Sequence, residues 1–142
     1  MKYFSKIIIF LLFILTISSC KNPENKIPYV YVDITLNLDK PEFFELNTVG
    51  NYVYVTGGVS GLVVYRDDRE VFFAYDRACP HDPECGRVEV EDNGYKLVDT
   101  CCGSKFSLTM NGAVLQGPAE MSLREYTTYY YPYSNELRIV SQ

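Results

Sequence analysis

Residues 78–85 read ACPHDPEC and residues 99–106 read DTCCGSKF. Together they hold Cys79, His81, Cys85, Asp99, Cys101 and Cys102, and His81 is the only histidine in the chain of 142 residues. Thiols and an imidazole gathered in two short segments have three ordinary explanations: a metal site, a disulfide framework, or small side chains in a core. The compartment bears on the choice, because thiols cross-link in oxidising surroundings and stay reduced in the cytosol.

The N-terminus addresses the compartment. Lys2 and Lys6 precede an apolar run from Ile7 to Ile17, broken only by Thr16, and Ser18-Ser19-Cys20 closes it. The run is too short to cross a bilayer, which takes about 20 helical residues, and it has the anatomy of a signal peptide. Its ending resembles a bacterial lipobox, in which the cysteine is acylated and becomes the first residue of the mature chain. That resemblance implies a signal peptide over 1–19, a lipid on Cys20 and a location in the bacterial cell envelope, on a side of the membrane left open. Each buried CH₂ of an acyl chain contributes about 0.8 kcal/mol, so two or three chains hold firmly. Residues 20–28 form the anchored tether, polar and containing Pro23 and Pro28, and 29–142 is one domain's worth of chain.

The formal net charge is −5, and losing Lys2 and Lys6 makes it more negative by two. No basic patch interrupts this acidic balance, which argues against nucleic acid and against electrostatic binding to anionic lipid. With Cys20 committed to lipid, Cys79, Cys85, Cys101 and Cys102 remain. An even number fits a disulfide framework, and two clustered pairs fit a metal site equally well.

Outward from the two cysteine segments the chain is rich in Val, Tyr, Phe and Thr, in short runs separated by turn residues. Strands are expected near 29–35, 52–55, 61–66, 70–76, 87–90, 95–99, 113–116, 126–131 and 137–140. Asn93-Gly94 and Asn111-Gly112 are strong turn signals, since a type I′ turn needs positive φ at both central residues. Asp67-Asp68 is a further expected turn. PEFFELN at 41–47 is the one helical candidate, short, with Asp39 upstream and Pro41 in the first turn. TYYYPY at 128–133 reads as a strand with rings on both faces. The pattern predicts a small all-β domain, an antiparallel sandwich or partly open barrel with at most one short helix.

ACPHDPEC followed by DTCCGSKFSLTMNGAVLQGPA (99–119) resembles the two cluster loops of the Rieske iron–sulfur family. The family's pattern is Cys-x-His, an interval, then Cys-x-x-His-Gly, with two thiolates on one iron and two imidazoles on the other. Cys79-Pro80-His81 fits the first loop, and the interval and the Gly-Ser-Lys-Phe continuation fit the second. Gly117-Pro118-Ala119 matches the family's Gly-Pro loop. The resemblance covers residues 52–140 and implies a small Rieske-like β fold with two metal-loop hairpins. Two departures stand out: Asp99 occupies the second ligand cysteine's position, and Cys102 the second ligand histidine's.

Three readings follow. A 2Fe–2S cluster bound by Cys79, His81, Cys102 and, weakly, Asp99 or Cys101 would make the chain an electron relay with an unknown redox partner. More thiolate in the ligand set would lower its potential. Alternatively the site carries no cofactor and its cysteines are crosslinked. Many Rieske domains of the cytochrome bc type carry a disulfide between the loops, and the resemblance places Cys85 and Cys101 at about those positions. Adjacent residues of an extended segment point to opposite sides, so Cys101 can face Cys85 while Cys102 faces Cys79. A bridge between Cys79 and Cys102 is less secure, because in the family those positions serve different irons. Thirdly, two thiolates, an imidazole and a carboxylate can take Zn²⁺, although nothing in the spacing favours zinc over the family's own cofactor. Ser104 and Lys105 are expected to shape the second loop through hydrogen bonds.

Nucleophilic catalysis has little support, since a cysteine nucleophile wants a base and an orienting partner. No paired carboxylates, Ser-His-Asp pattern or phosphate loop stands out, and no residue is assigned a catalytic role. The expected function is therefore electron transfer by a lipid-anchored Rieske-type domain, not an enzyme in itself. Its alternative is a cluster-free binding or structural module on the same fold, with loops tied by disulfides and surface tyrosines meeting a partner.

Overall fold

A computed structural model describes residues 26–91 and 94–142. The signal segment, Cys20, most of the tether and Asn93 lie outside the described residues. Among the described residues there are ten strands: β1 (Asp33–Asn37), β2 (Tyr52–Val55), β3 (Leu62–Arg66), β4 (Phe72–Asp76), β5 (Val88–Val90), β6 (Lys96–Asp99), β7 (Lys105–Ser107), β8 (Val114–Gln116), β9 (Glu125–Tyr131) and β10 (Glu136–Val140). They pair antiparallel into a six-stranded sheet of order β1-β10-β9-β4-β3-β2 and a four-stranded sheet of order β5-β6-β7-β8. The larger sheet curls into a half-barrel and the smaller one packs against it.

Strand β3 shows why two layers form. All five of its residues are buried, and successive side chains leave opposite faces. Leu62 and Val64 enter one core with Leu36, Leu46, Phe72, Leu137 and Ile139. Val63 and Tyr65 enter a second with Tyr75, Val88, Leu97, Phe106 and Leu108, which joins the two sheets. Cys79 is part of this second core, and Cys102 packs against it. The apolar layer between the sheets therefore supports both cysteine segments from below.

Two elements differ from the sequence expectation. The first strand begins at Asp33 rather than residue 29, because its partner β10 ends at Val140, opposite Asp33. Strand β7, in the segment expected only as a loop, pairs with both β6 and β8. The helical segment Pro41–Asn47 is a short 3-10 helix with Pro41 in its first turn, as expected. At the expected turn 110–113, Asn111 and Gly112 have φ of 50° and 64°, and Ala113 N–H donates to the Met110 carbonyl at 2.9 Å. The packed region reaches back to Ile27, which is buried and whose carbonyl accepts a hydrogen bond from Arg124 at 2.6 Å.

Asp76, at the end of β4, closes the edge of the half-barrel. Its carboxylate accepts from the N–H groups of Val59 (2.7 Å), Ser60 (3.1 Å) and Ala78 (2.9 Å) and from the Tyr126 hydroxyl (2.9 Å), and it has no solvent exposure. A buried carboxylate is tolerable only with such a set of donors. The loop 56–61 must come close to supply two of them. Gly58 has φ +61°, and a Cβ there would sit 2.3 Å from Asp76 Oδ2. Asp76→Ala is expected to lose about 3–5 kcal/mol by leaving these donors unpaired, read as a fall in the denaturation midpoint; an unchanged midpoint contradicts the assignment.

Burial also raises the Glu125 carboxyl above its ordinary value of 4.5. The folded state then holds that proton more tightly than the unfolded state does. Ionisation is thus a cost of folding that sets in as pH rises through the unfolded value and is complete above the folded one. Glu125→Gln is expected to be more stable than the parent at pH 7, with the difference vanishing below about pH 4, as measured by urea midpoints at both pH values.

Candidate functional site

The first cysteine segment leaves the large sheet at the end of β4 and enters the small sheet at β5. Its neck is closed by Val88 N–H donating to the Arg77 carbonyl (2.8 Å) and Arg77 Nε donating to the Val88 carbonyl (2.9 Å). The second is the turn between β6 and β7. There Asp99 N–H donates to the Ser104 carbonyl at 2.9 Å and Gly103 N–H to the Asp99 carbonyl at 2.8 Å. Gly103 has φ +75°, which suits glycine at a turn of this tightness.

Between these loops Cys85 and Cys101 form a disulfide with Cα atoms 6.1 Å apart. Cys102, the next residue, points the other way, and its Sγ lies 3.6 Å from Cys79 Sγ. Both thiols are unbridged, Cys79 buried and Cys102 partly exposed. The Cys102 thiol donates to Ser104 Oγ at 3.0 Å, and the same oxygen accepts from Ala119 N–H at 2.9 Å. Ser104 thus ties the second loop to the Gly117-Pro118-Ala119 segment.

Asp99 lies beneath both sulfurs with no exposure. Its Oδ1 accepts from the N–H groups of Cys101 (2.7 Å) and Cys102 (3.3 Å). Its Oδ2 is buried and has no hydrogen-bond partner among the described residues. Cys79 Sγ, Cys102 Sγ and a carboxylate oxygen of Asp99 all lie within 4.8 Å of one another. Burial, helped by the adjacent Asp99, pushes the Cys79 thiol up to about 12, although the N–H groups of His81 and Asp82 pull the other way. Burial also acts to raise the Asp99 carboxyl. It is outweighed by hydrogen bonds from Cys79 and from the backbone of Cys101 and Cys102, which hold the carboxyl below its ordinary value.

The sequence-derived residues are thus distributed unequally. Cys79, Asp99 and Cys102 converge, while Cys85 and Cys101 are taken up by their bridge. His81 is exposed and outside the group of three donors. The chain bends at Pro80 and His81 and turns over 83–85, where Glu84 N–H donates to Asp82 Oδ1 at 3.3 Å, so the imidazole sits on the outer side of the loop. Lys105, expected to shape the loop, reaches away from it to Glu91. Sequence reasoning missed Asp76; the available signal was an acid ending the apolar strand FFAYD.

The converging atoms do not fit a 2Fe–2S cluster. Two irons joined by sulfides need two separated pairs of donors, whereas this site offers three atoms around one point. Positions 79 and 102 serve different irons in the family pattern, yet here their sulfurs are only 3.6 Å apart. The donors suit a single ion better. Two thiolates on a tetrahedral metal with bonds of about 2.3 Å lie about 3.8 Å apart, and a carboxylate oxygen of Asp99 lies within 4.8 Å of both sulfurs.

Comparison with solved structures identifies the architecture. The plasma membrane Rieske protein PetC3 from the cyanobacterium Synechocystis PCC 6803 superposes with a TM-score of 0.52 at 24% sequence identity, over 64% of this chain and 86% of that one. A structure described as the small subunit of an NADH-dependent nitrite reductase from Mycobacterium tuberculosis has a TM-score of 0.48 and 18% identity, over 80% of this chain and 98% of that one. No family model and no curated protein matches the chain. The chain has a Rieske-like fold with an altered donor set at its loop tips.

The disulfide closes a segment with a sequence separation of 16, and a loop of that size contributes about 3 kcal/mol in the chain-entropy account. Replacing Cys85 and Cys101 together by alanine is expected to lower unfolding free energy by about that amount, and reductant is then expected to have little further effect on the denaturant midpoint.

Proposed function

We propose that this chain is a cluster-free Rieske-fold module of the bacterial cell envelope, held to a membrane by lipid on Cys20. In this reading it works as a binding or structural component rather than an enzyme. The observation that carries it is the 3.6 Å separation of the Cys79 and Cys102 sulfurs, at positions where a cluster would need donors for two different irons. The bridge between Cys85 and Cys101 withdraws the only other described thiols, and His81 faces outward. The frame is held instead by protein contacts, namely the disulfide, the Asp99 turn and the bonds to Ser104. The lipobox-like Cys20 supports the anchor and the envelope location. Exposed Tyr129, Tyr131 and Tyr133 offer a surface for a protein partner, since tyrosine combines large apolar area with a hydrogen-bonding tip.

A second reading has its own observation. A carboxylate oxygen of Asp99 within 4.8 Å of two thiol sulfurs is the environment of a soft divalent ion, with Cys79, Asp99 and Cys102 as ligands and zinc as the natural candidate. Elemental analysis and visible absorption of freshly, anaerobically purified protein separate the cases. The cluster-free module is expected to carry neither stoichiometric iron nor a visible band. About two irons per chain with charge-transfer absorption would overturn it, and about one zinc would establish the second reading.

A further inference from the structure

We propose that Cys79 and Cys102 form a reversible dithiol–disulfide couple that exchanges with accessible disulfide bonds, with Cys102 as the entry sulfur and Cys79 as the resolving one. This deepens the cluster-free reading and rests on it. The observations are geometric. The two sulfurs lie 3.6 Å apart in unbridged form, and closing to a bond of about 2.05 Å takes only a small movement of either side chain. The two thiols differ in access: Cys102 is partly exposed and Cys79 is buried in the apolar layer. That difference assigns the order of events. An incoming disulfide reaches Cys102 first, and Cys79 is placed behind it to resolve the adduct.

The neighbouring bond between Cys85 and Cys101 fixes the backbone one residue away from Cys102. Exchange therefore moves one side chain and leaves the loop in place. Asp99 holds the turn that presents Cys102: its Oδ1 accepts from the N–H groups of Cys101 and Cys102.

The chemistry balances with an external disulfide, RSSR, as oxidant. Cys102 loses its proton to solvent and its sulfur attacks RSSR. A Cys102–SR bond forms, the R–S–S–R bond breaks, and RS⁻ leaves and is protonated. Cys79 Sγ then attacks Cys102 Sγ. The Cys79–Cys102 bond forms, the second RS⁻ leaves, and the proton released from Cys79 is taken up by that leaving thiolate. Two electrons move from the pair to RSSR, yielding two RSH; a dithiol partner drives the reverse.

The test equilibrates the full chain anaerobically in graded glutathione/glutathione disulfide buffers, alkylates free thiols in denaturant, and maps the peptides by mass spectrometry. The expected result is reversible conversion between two alkylated residues at 79 and 102 and a crosslinked peptide pair, with the bond between Cys85 and Cys101 intact throughout. Cys102→Ser is expected to slow glutathione capture at this site at least fiftyfold. Cys79→Ser is expected to accumulate a glutathione adduct on Cys102. Sulfurs that stay free in every buffer, or an adduct that appears first on Cys79, overturn the couple whether or not the variants fold, because the parent chain shows both. Iron and zinc are measured on the same preparation. Two irons per chain overturn the cluster-free reading and this inference together; inert thiols without metal, or zinc that blocks alkylation until chelated, overturn this inference alone.

Discussion

The buried carboxylate of Asp99 is the constraint on which the loop geometry turns. A charge without exposure is costly unless the protein supplies compensating donors, and here the donors are the N–H groups of the two residues that follow it closely in the chain, Cys101 and Cys102. Satisfying Asp99 therefore folds the segment back on itself, and that fold-back decides where both cysteines point. Cys101 is turned toward the first loop and Cys102 toward the interior. The Asp99 side chain thus organises its own turn.

The disulfide and the apolar layer act on that turn from opposite sides. The bond between Cys85 and Cys101 joins the loops at their outer surface, where solvent competes with weaker contacts. Beneath it, Cys79 lies in the same cluster as Tyr75, Leu97, Phe106 and Leu108, with Cys102 against it. Ser104 adds a lateral tie to the Gly-Pro segment through its bond from Ala119. In a cluster-bearing site much of this positioning comes from metal–sulfur bonds. Here covalent, polar and apolar contacts hold three sides of the same pocket.

Most of the fold was legible because β-branched and aromatic residues alternate in runs bounded by turn residues, and Asn111-Gly112 adopts the left-handed pair of conformations that its side chains permit. Strand β7 was not legible. Lys105–Ser107 is three residues long, follows a turn immediately, and owes its extended form to partners on both sides rather than to propensity. The ends of β1 were likewise set by the reach of β10. At the site, the opposed facing of Cys101 and Cys102 was expected from the period of an extended chain, but it arises from the Asp99 turn, since residues 100–102 are not extended. The outward turn of His81 was not expected, because it depends on the local bends at 80–85, which no periodicity encodes. The unpartnered oxygen of Asp99 and the hub at Asp76 are products of tertiary burial, and a carboxylate's burial is not written in its neighbours' identities.

The separation of the two interior sulfurs is then a property of the frame rather than of any occupant. Cys79 is fixed by the apolar layer, and Cys102 by the Asp99 turn and Ser104. A gap of 3.6 Å between the sulfurs admits a sulfur–sulfur bond after a small side-chain movement, or a single tetrahedral ion with almost none. It does not admit two irons and their bridging sulfides without moving one of the loops, and moving the second loop would break both hydrogen bonds that make the buried charge of Asp99 tolerable. The same interaction that shapes the pocket therefore sets the upper limit on what the pocket can hold.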